Sequence, residues 1–292
     1  MSKTKKAVII GSVLVGIGVI IGFIGIAIGG FKFPNGAVDL TTMKALHAEK
    51  KTVQIADAFD KIEIAGASSM DIEICKSKTG KNYVEYYDTD DWTSRVDVKD
   101  RVLKFTTDDK GKHKAVVSLG FGKDTAARLY LADAEYKEIA VTTLSGYVTI
   151  QDVNAGTVNV SASSGDLYMK NINVPDSIMA TSSSGDIDLE NATAKQIELG
   201  ANSGDIEMQD ITAESLRMST SSGDIDLESC DAEKFDITTS SGDVDMEITA
   251  GRTYRFETKT NSGAVDVPDG DADSDYLCKI VTSSGDVDVK QK

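Results

Sequence analysis

From residue 136 onward, apolar and polar positions alternate with a period of two, and the alternation is broken at near-regular intervals by Ser-Gly. The pairs are Ser145-Gly146, Ser164-Gly165, Ser184-Gly185, Ser203-Gly204, Ser222-Gly223, Ser241-Gly242, Ser262-Gly263 and Ser284-Gly285, with steps of 19, 20, 19, 19, 19, 21 and 22 residues between glycines. Two and four positions after each glycine come Val148/Ile150, Leu167/Met169, Ile187/Leu189, Ile206/Met208, Ile225/Leu227, Val244/Met246, Val265/Val267 and Val287/Val289. Such alternation marks a strand with one buried face. The run into each Ser-Gly alternates too, as in Ile197/Leu199/Ala201 and Leu216/Met218/Thr220. Seven positions after five successive glycines stand Val153, Ile172, Ala192, Ile211 and Cys230. Each unit therefore holds two strands, a corner and a tight glycine turn. It is too short for a strand–helix–strand crossover of ~30 residues, and it buries its apolar face only against a neighbouring unit. The pattern predicts an all-β fold, a parallel β-solenoid of about eight 19–22-residue coils whose equivalent residues stack ~4.8 Å apart. An antiparallel meander explains the alternation but not the recurrence of one corner in every unit.

The turn glycines, Gly146, Gly165, Gly185, Gly204, Gly223, Gly242, Gly263 and Gly285, are read as supplying a backbone conformation closed to other residues. The serine before each shares the inward parity, so its hydroxyl is expected to bond backbone groups at the corner. Repeated copies without a histidine base make these serines structural, not nucleophiles. Cys230 and Cys278 also have inward parity and behave as small hydrophobes.

Ahead of the repeats, residues 51–135 read as irregularly spaced strands, among them Lys61-Ile62-Glu63-Ile64, Asp71-Ile72-Glu73-Ile74 and Leu129-Tyr130-Leu131. They form a β-rich cap on the N-terminal end of the stack. Residues 32–50 read as a stalk with one helical turn. At the other end Val289-Lys290-Gln291-Lys292 is expected to be the open edge, its lysines deterring strand pairing. Residues 7–31 carry no charge over 25 positions, enough for a helix of ~37 Å, which exceeds the ~30 Å hydrocarbon core. Lys3, Lys5 and Lys6 precede the run and Lys32 alone follows it. That asymmetry places residues 1–6 in the cytoplasm and the bulk of the chain outside, as a single-pass cell-membrane protein. Cleavage of the segment as a secretory signal, near Ala27-Ile28-Gly29, is the rival reading.

The formal net charge is −16, from 47 acidic and 31 basic side chains. That balance excludes a nucleic-acid partner, which needs clustered Lys and Arg. The 2 histidines, His47 and His113, and 3 cysteines support neither a histidine-based catalytic triad nor a zinc or disulfide framework. Much of the acid excess falls beside the glycine turns. One position after Gly stand Asp166, Asp186, Asp205, Asp224, Asp243 and Asp286; three positions after stand Asp188, Glu207, Asp226, Asp245, Asp266 and Asp288. Stacked carboxylates ~4.8 Å apart repel by about 0.9 kcal/mol per neighbouring pair in water before screening. This wall has two readings: a solvated face that keeps a β-rich protein soluble, or a cation-binding surface for Ca²⁺ or a basic partner. The opposite outward face carries Ser161, Ser163, Ser183, Asn202, Ser219, Ser221, Thr238, Ser240, Asn261 and Ser283, a flat neutral surface that reads equally as a docking surface for glycan or protein and as a polar coat.

With an anchor-like N-terminus, Phe59-Asp60-Lys61-Ile62-Glu63-Ile64, Leu129-Tyr130-Leu131-Ala132-Asp133 and tandem Ser-Ser-Gly-Asp-Ile-Asp-Leu, the chain resembles a family of bacterial β-strand-repeat proteins labelled "putative adhesins". The resemblance covers roughly residues 50–292. It implies a membrane-anchored extracellular β-solenoid and brings no catalytic residues or cofactor. The expected function is non-catalytic, adhesion or scaffolding at the cell envelope. The alternative is an accessory or sensory protein of an envelope-stress response that works through a membrane-protein partner. A polysaccharide-acting β-helix enzyme is remote, because acids repeated along a wall are copies of one structural position.

Overall fold

A computed structural model of the chain describes residues 37–39, 44–45, 48–66, 70–89, 92–109, 116–118, 126–249 and 251–292. The proposed membrane segment, His47 and His113 lie outside them; among the described residues no helix is long and apolar enough to cross a membrane. Two compact units are present, one of residues 1–47 and 114–124, the other of residues 48–113 and 125–292. In the first, Ala37–Asp39 pairs antiparallel with Lys44–Ala45 and with Val116–Ser118.

The second unit is a 19-stranded, mostly parallel sheet wound into stacked coils. The long strands Leu167–Ser182, Ile187–Ala201, Ile206–Ser219 and Ile225–Thr238 each run through a corner and serve both faces. Their registers align Leu167, Ile187, Ile206 and Ile225 in one column and Ile178, Ile197, Leu216 and Phe235 in another. All eight side chains are buried. The parallel pairing rules out the antiparallel meander. Cys230 and Cys278 are fully buried in the same core, where burial pushes each thiol up to about 12.

Close approach, not an unusual turn, explains the glycines. A Cβ on Gly204 would lie 2.1 Å from the Gly185 carbonyl oxygen, and one on Gly223 would lie 2.0 Å from that of Gly204. None of the eight repeat glycines has positive φ. The left-handed conformation falls instead six residues later, at Asp152 (φ 57), Asn171 (53), Asn191 (51), Asp210 (55) and Ser229 (57). Asn and Asp tolerate it better than other side chains. Three of these corners are also stitched together: Asn171 Nδ2 donates to Asp152 Oδ1 over 2.9 Å, and Asn191 Nδ2 to Asn171 Oδ1 over 2.8 Å.

The expectation for the serines is corrected in the same region. Ser164, Ser184, Ser203, Ser222 and Ser241 are exposed. The inward hydroxyl stands three residues before the glycine. Thr220 Oγ1 donates to Gly204 O (3.1 Å) and accepts from Gly223 N–H (3.1 Å); Ser182 and Thr239 repeat that bridge at their own corners. Ala162 and Ala201 hold the place without a hydroxyl.

Both ends are threaded out of sequence order. At the N-terminal end, Lys61–Gly66 lies between Val102–Asp109 and Glu135–Thr143, parallel to both. Antiparallel strands close this end, with Tyr83–Thr89 on Ala127–Leu131, Ala48–Gln54 on Tyr83–Thr89, and Trp92–Lys99 on Val102–Asp109. Residues 48–50, the last of the segment read as a stalk, are thus strand. At the other end Leu277–Val281 lies between Ile225–Thr238 and Arg255–Lys259, and Val287–Gln291 lies between Val244–Ile248 and Val265–Asp266. The strand expected to form the open edge is therefore interior, and the coil of Arg255–Lys259 and Val265–Asp266 is outermost.

Candidate functional site

Strand alternation in the coils from Leu167 onward turns every second side chain after the glycine to one outward face. The first of these, one position after Gly, is already engaged. Asp166, Asp186, Asp205, Asp224 and Asp243 each accept, through Oδ1, the backbone N–H of the equivalent residue in the next coil, at 2.7–3.0 Å. Charge-assisted bonds of this kind offset much of the repulsion along the column.

The second column follows the register Tyr168, Asp188, Glu207, Asp226, Asp245, Asp288, with Asp266 beside Asp288. All six predicted wall residues are brought into this column, in an order that the end threading alters. A third column, five positions after Gly, was not recognised in the sequence: Lys170, Glu190, Gln209, Glu228, then Glu247 beside Lys290. Counting one more outward step along each strand would have located it. Together the second and third columns line a shallow groove of about 580 Å³.

Cations of the chain itself engage the margins of this groove. Lys170 pairs with Glu190 (2.5 Å), Lys290 with Asp288 (3.1 Å) and Lys292 with Glu247 (2.7 Å). Hydrogen bonds from Lys170 and Tyr168 hold the Glu190 carboxyl below its usual range. Among the described residues Asp188, Glu207, Asp226 and Asp245 carry no ion pair. Partial burial, then the neighbouring Glu207, Asp186 and Asp166, pushes Asp188 up to about 6. Asp226 is raised for the same reason, burial first and then Asp245 and Glu207. The centre of the groove is thus a negative surface whose charge is incompletely neutralised. Among the described residues no three acidic, cysteine or histidine side chains are grouped to hold a metal ion. The wall is a line of charge, not a formed Ca²⁺ cage with its converging oxygens.

The hydroxyl and amide residues predicted on the other face are exposed. That face is not uniformly neutral. Beside them runs the column Met179, Glu198, Arg217, Asp236, Lys279, in which Arg217 and Lys279 flank Asp236 at 3.6 and 3.5 Å.

A family model described as Toastrack DUF4097 matches residues 59–290. No curated protein matches the sequence. Among solved structures, a "putative adhesin" from Bacteroides fragilis aligns with a TM-score of 0.52 at 17% identity, over 84% of this chain and 97% of that chain. A "putative lipid binding protein" from Parabacteroides distasonis aligns with a TM-score of 0.53 at 19% identity, over 83% and 96%. At these identities the likeness is one of fold.

Proposed function

This chain belongs to the Toastrack DUF4097 family, and on that premise we propose that it is a membrane-anchored, non-catalytic β-repeat protein displayed outside the cell for adhesion or envelope scaffolding. The observation that carries the proposal is repetition. The outward position three after each glycine recurs as an acid from Asp188 on, coil after coil, so the surface presents a column of like groups to an extended partner. Enzymatic sites need unlike groups converging on one reacting atom, and a column of copies does not supply them. The acidic groove favours a partner bearing positive charge, steered by the field of the aligned carboxylates. The hydroxyl-rich half of the other face suits a glycan or protein surface. Anchoring is supported by the uncharged run of residues 7–31 and the lysines before it. The name of the Bacteroides fragilis neighbour points the same way, that of the Parabacteroides distasonis neighbour toward lipid.

Two measurements on intact cells expressing the full chain test this. Added protease is expected to remove the folded body while a cytoplasmic marker survives; a body that remains protected refutes the orientation. Cells carrying the chain are expected to bind immobilised polycationic peptide, and the double variant Asp226→Asn, Asp245→Asn to bind several-fold less. Equal binding by both removes the groove from the function. Recovery of a membrane protein with the chain, without surface binding, would favour the accessory role.

A further inference from the structure

The coil of Leu277–Val281 and Val287–Gln291 carries the complete repeat chemistry yet is interior, whereas the coil of Arg255–Lys259 and Val265–Asp266 lacks part of it and is outermost. From the Gly165 turn onward the interior coils offer their neighbours the same attachments, save that Ala201 brings no hydroxyl to Gly185. These are the glycine carbonyl, which receives a Ser or Thr hydroxyl, and the Asp carboxylate, which receives a backbone N–H. Gly242 O accepts from Thr282 Oγ1 (3.3 Å), and Asp243 Oδ1 accepts from Asp286 N–H (2.7 Å). The interior coil repeats the offer to the outermost one: Gly285 O accepts from Thr260 Oγ1 (3.1 Å), and Asp286 Oδ1 accepts from Ala264 N–H (2.7 Å).

At the outermost coil the series stops. Ala264 stands where six other coils have Asp, so no carboxylate is offered to a further coil. The strand after Gly263 has shrunk to Val265–Asp266, and Pro268, which has no N–H, stands five positions after that glycine. Short edge strands and proline are recognised means of blunting a sheet edge. The ten-residue return, residues 267–276, then carries the chain back to the inner slot.

We propose that the outermost coil is a stop that masks a self-docking surface, and that the partner this surface fits is a second copy of this chain. The surface beneath is the outer edge of the Leu277–Gln291 coil, with the Gly285 carbonyl and the Asp286 carboxylate ready to accept. Its complement on a second molecule is any coil or strand edge able to donate as Thr260 and Ala264 do. Threading the last repeat inward keeps the fully equipped coil covered and turns the depleted one to solvent. The interaction is the coil-on-coil contact already seen throughout the stack, repeated between molecules.

The test uses the full-length chain in detergent micelles and the variant Gly263→Val. A Cβ at this position would lie 2.1 Å from the Gly285 carbonyl oxygen, which unseats the outermost coil. Hydrogen exchange reads that release, and analytical ultracentrifugation reads association. The expected result is a wild type whose mass is constant with concentration. The variant should lose protection at Arg255–Lys259, keep it at Ile187–Ala201, and at least double its average mass over a tenfold rise in concentration. A variant that loses this protection yet stays at wild-type mass overturns the proposal. So does one that keeps the protection, because the tight contact attributed to the stop is then absent. Loss of protection throughout the stack overturns it too, since the coil is then not a separable cover, as does a wild type that already associates with concentration.

Discussion

Gly204 and Ser203 are adjacent and equally regular in the sequence, yet the structure gives them opposite weight. A methyl group on Gly204 meets the Gly185 carbonyl and the Asp186 nitrogen, backbone atoms that cannot swing aside. Gly204→Ala is expected to cost about 3 kcal/mol or more in chemical denaturation, as overpacking against backbone does. Ser203→Ala, at an exposed position, is expected to stay within about 0.5 kcal/mol. The hydroxyl that matters is Thr220, three residues before the next glycine, and Thr220→Val should cost about 1–3 kcal/mol by orphaning the Gly223 N–H. Similar costs for Ser203→Ala and Thr220→Val would refute this division of roles. The regularity of Ser-Gly was legible in the sequence; its reason was not. A close approach between coils involves residues 19 or more positions apart, and nothing local distinguishes it from a turn that requires positive φ.

At the scale of the element, alternation located the strands well, because a half-buried strand exposes its period directly. The order of the coils is another matter. Leu277–Gln291 and Arg255–Asp266 share the same apolar–polar alternation, so parity by itself does not order them. Only the fit of partners in three dimensions selects between them. Terminal segments ordinarily fray, but Val287–Gln291 is paired along its whole length with Val244–Ile248, and Val287 and Asp288 are paired on the other edge with Val265 and Asp266. Its amides are expected to exchange at rates close to those of Val244–Ile248, and more slowly than those of Val265–Asp266 by a factor of about 10 or more. Faster exchange at Val287 and Val289 than at Val265 would contradict the threading. The third outward column belongs to this scale as well: it was available from strand parity, and becomes meaningful only once the long strands are seen to continue past the fourth position after glycine.

For the whole molecule, a net charge of −16 and an aligned wall make stability depend on pH in a definite direction. Asp188, raised to about 6 by burial and its acidic neighbours, holds a proton more tightly in the folded chain than in the unfolded one. Its ionisation therefore destabilises the fold as pH rises toward and through about 6, and acidification relieves this. Asp226 adds in the same sense. Glu190 and Asp60, lowered chiefly by their hydrogen bonds with Lys170 and Lys137, contribute stability that is lost once pH falls below about 4. The melting temperature should accordingly peak between about pH 4 and 6. Asp188→Asn should raise it at pH 7.5 by roughly 2–4 °C, for about 1 kcal/mol after allowance for solvent screening. The gain should vanish at pH 4. A gain independent of pH would assign the effect to packing rather than charge.

The sequence alone determined the strand content, the parallel stacking, the inward aliphatics and buried cysteines, and the acidic columns, because each depends on period and parity that a repeating chain displays along its length. Tertiary structure decided which coil neighbours which, why glycine is required, where the left-handed corner falls, and which acids are bonded and which are left to line a groove. Those properties arise from contacts between coils, whose distances and donors are set only when the stack is assembled.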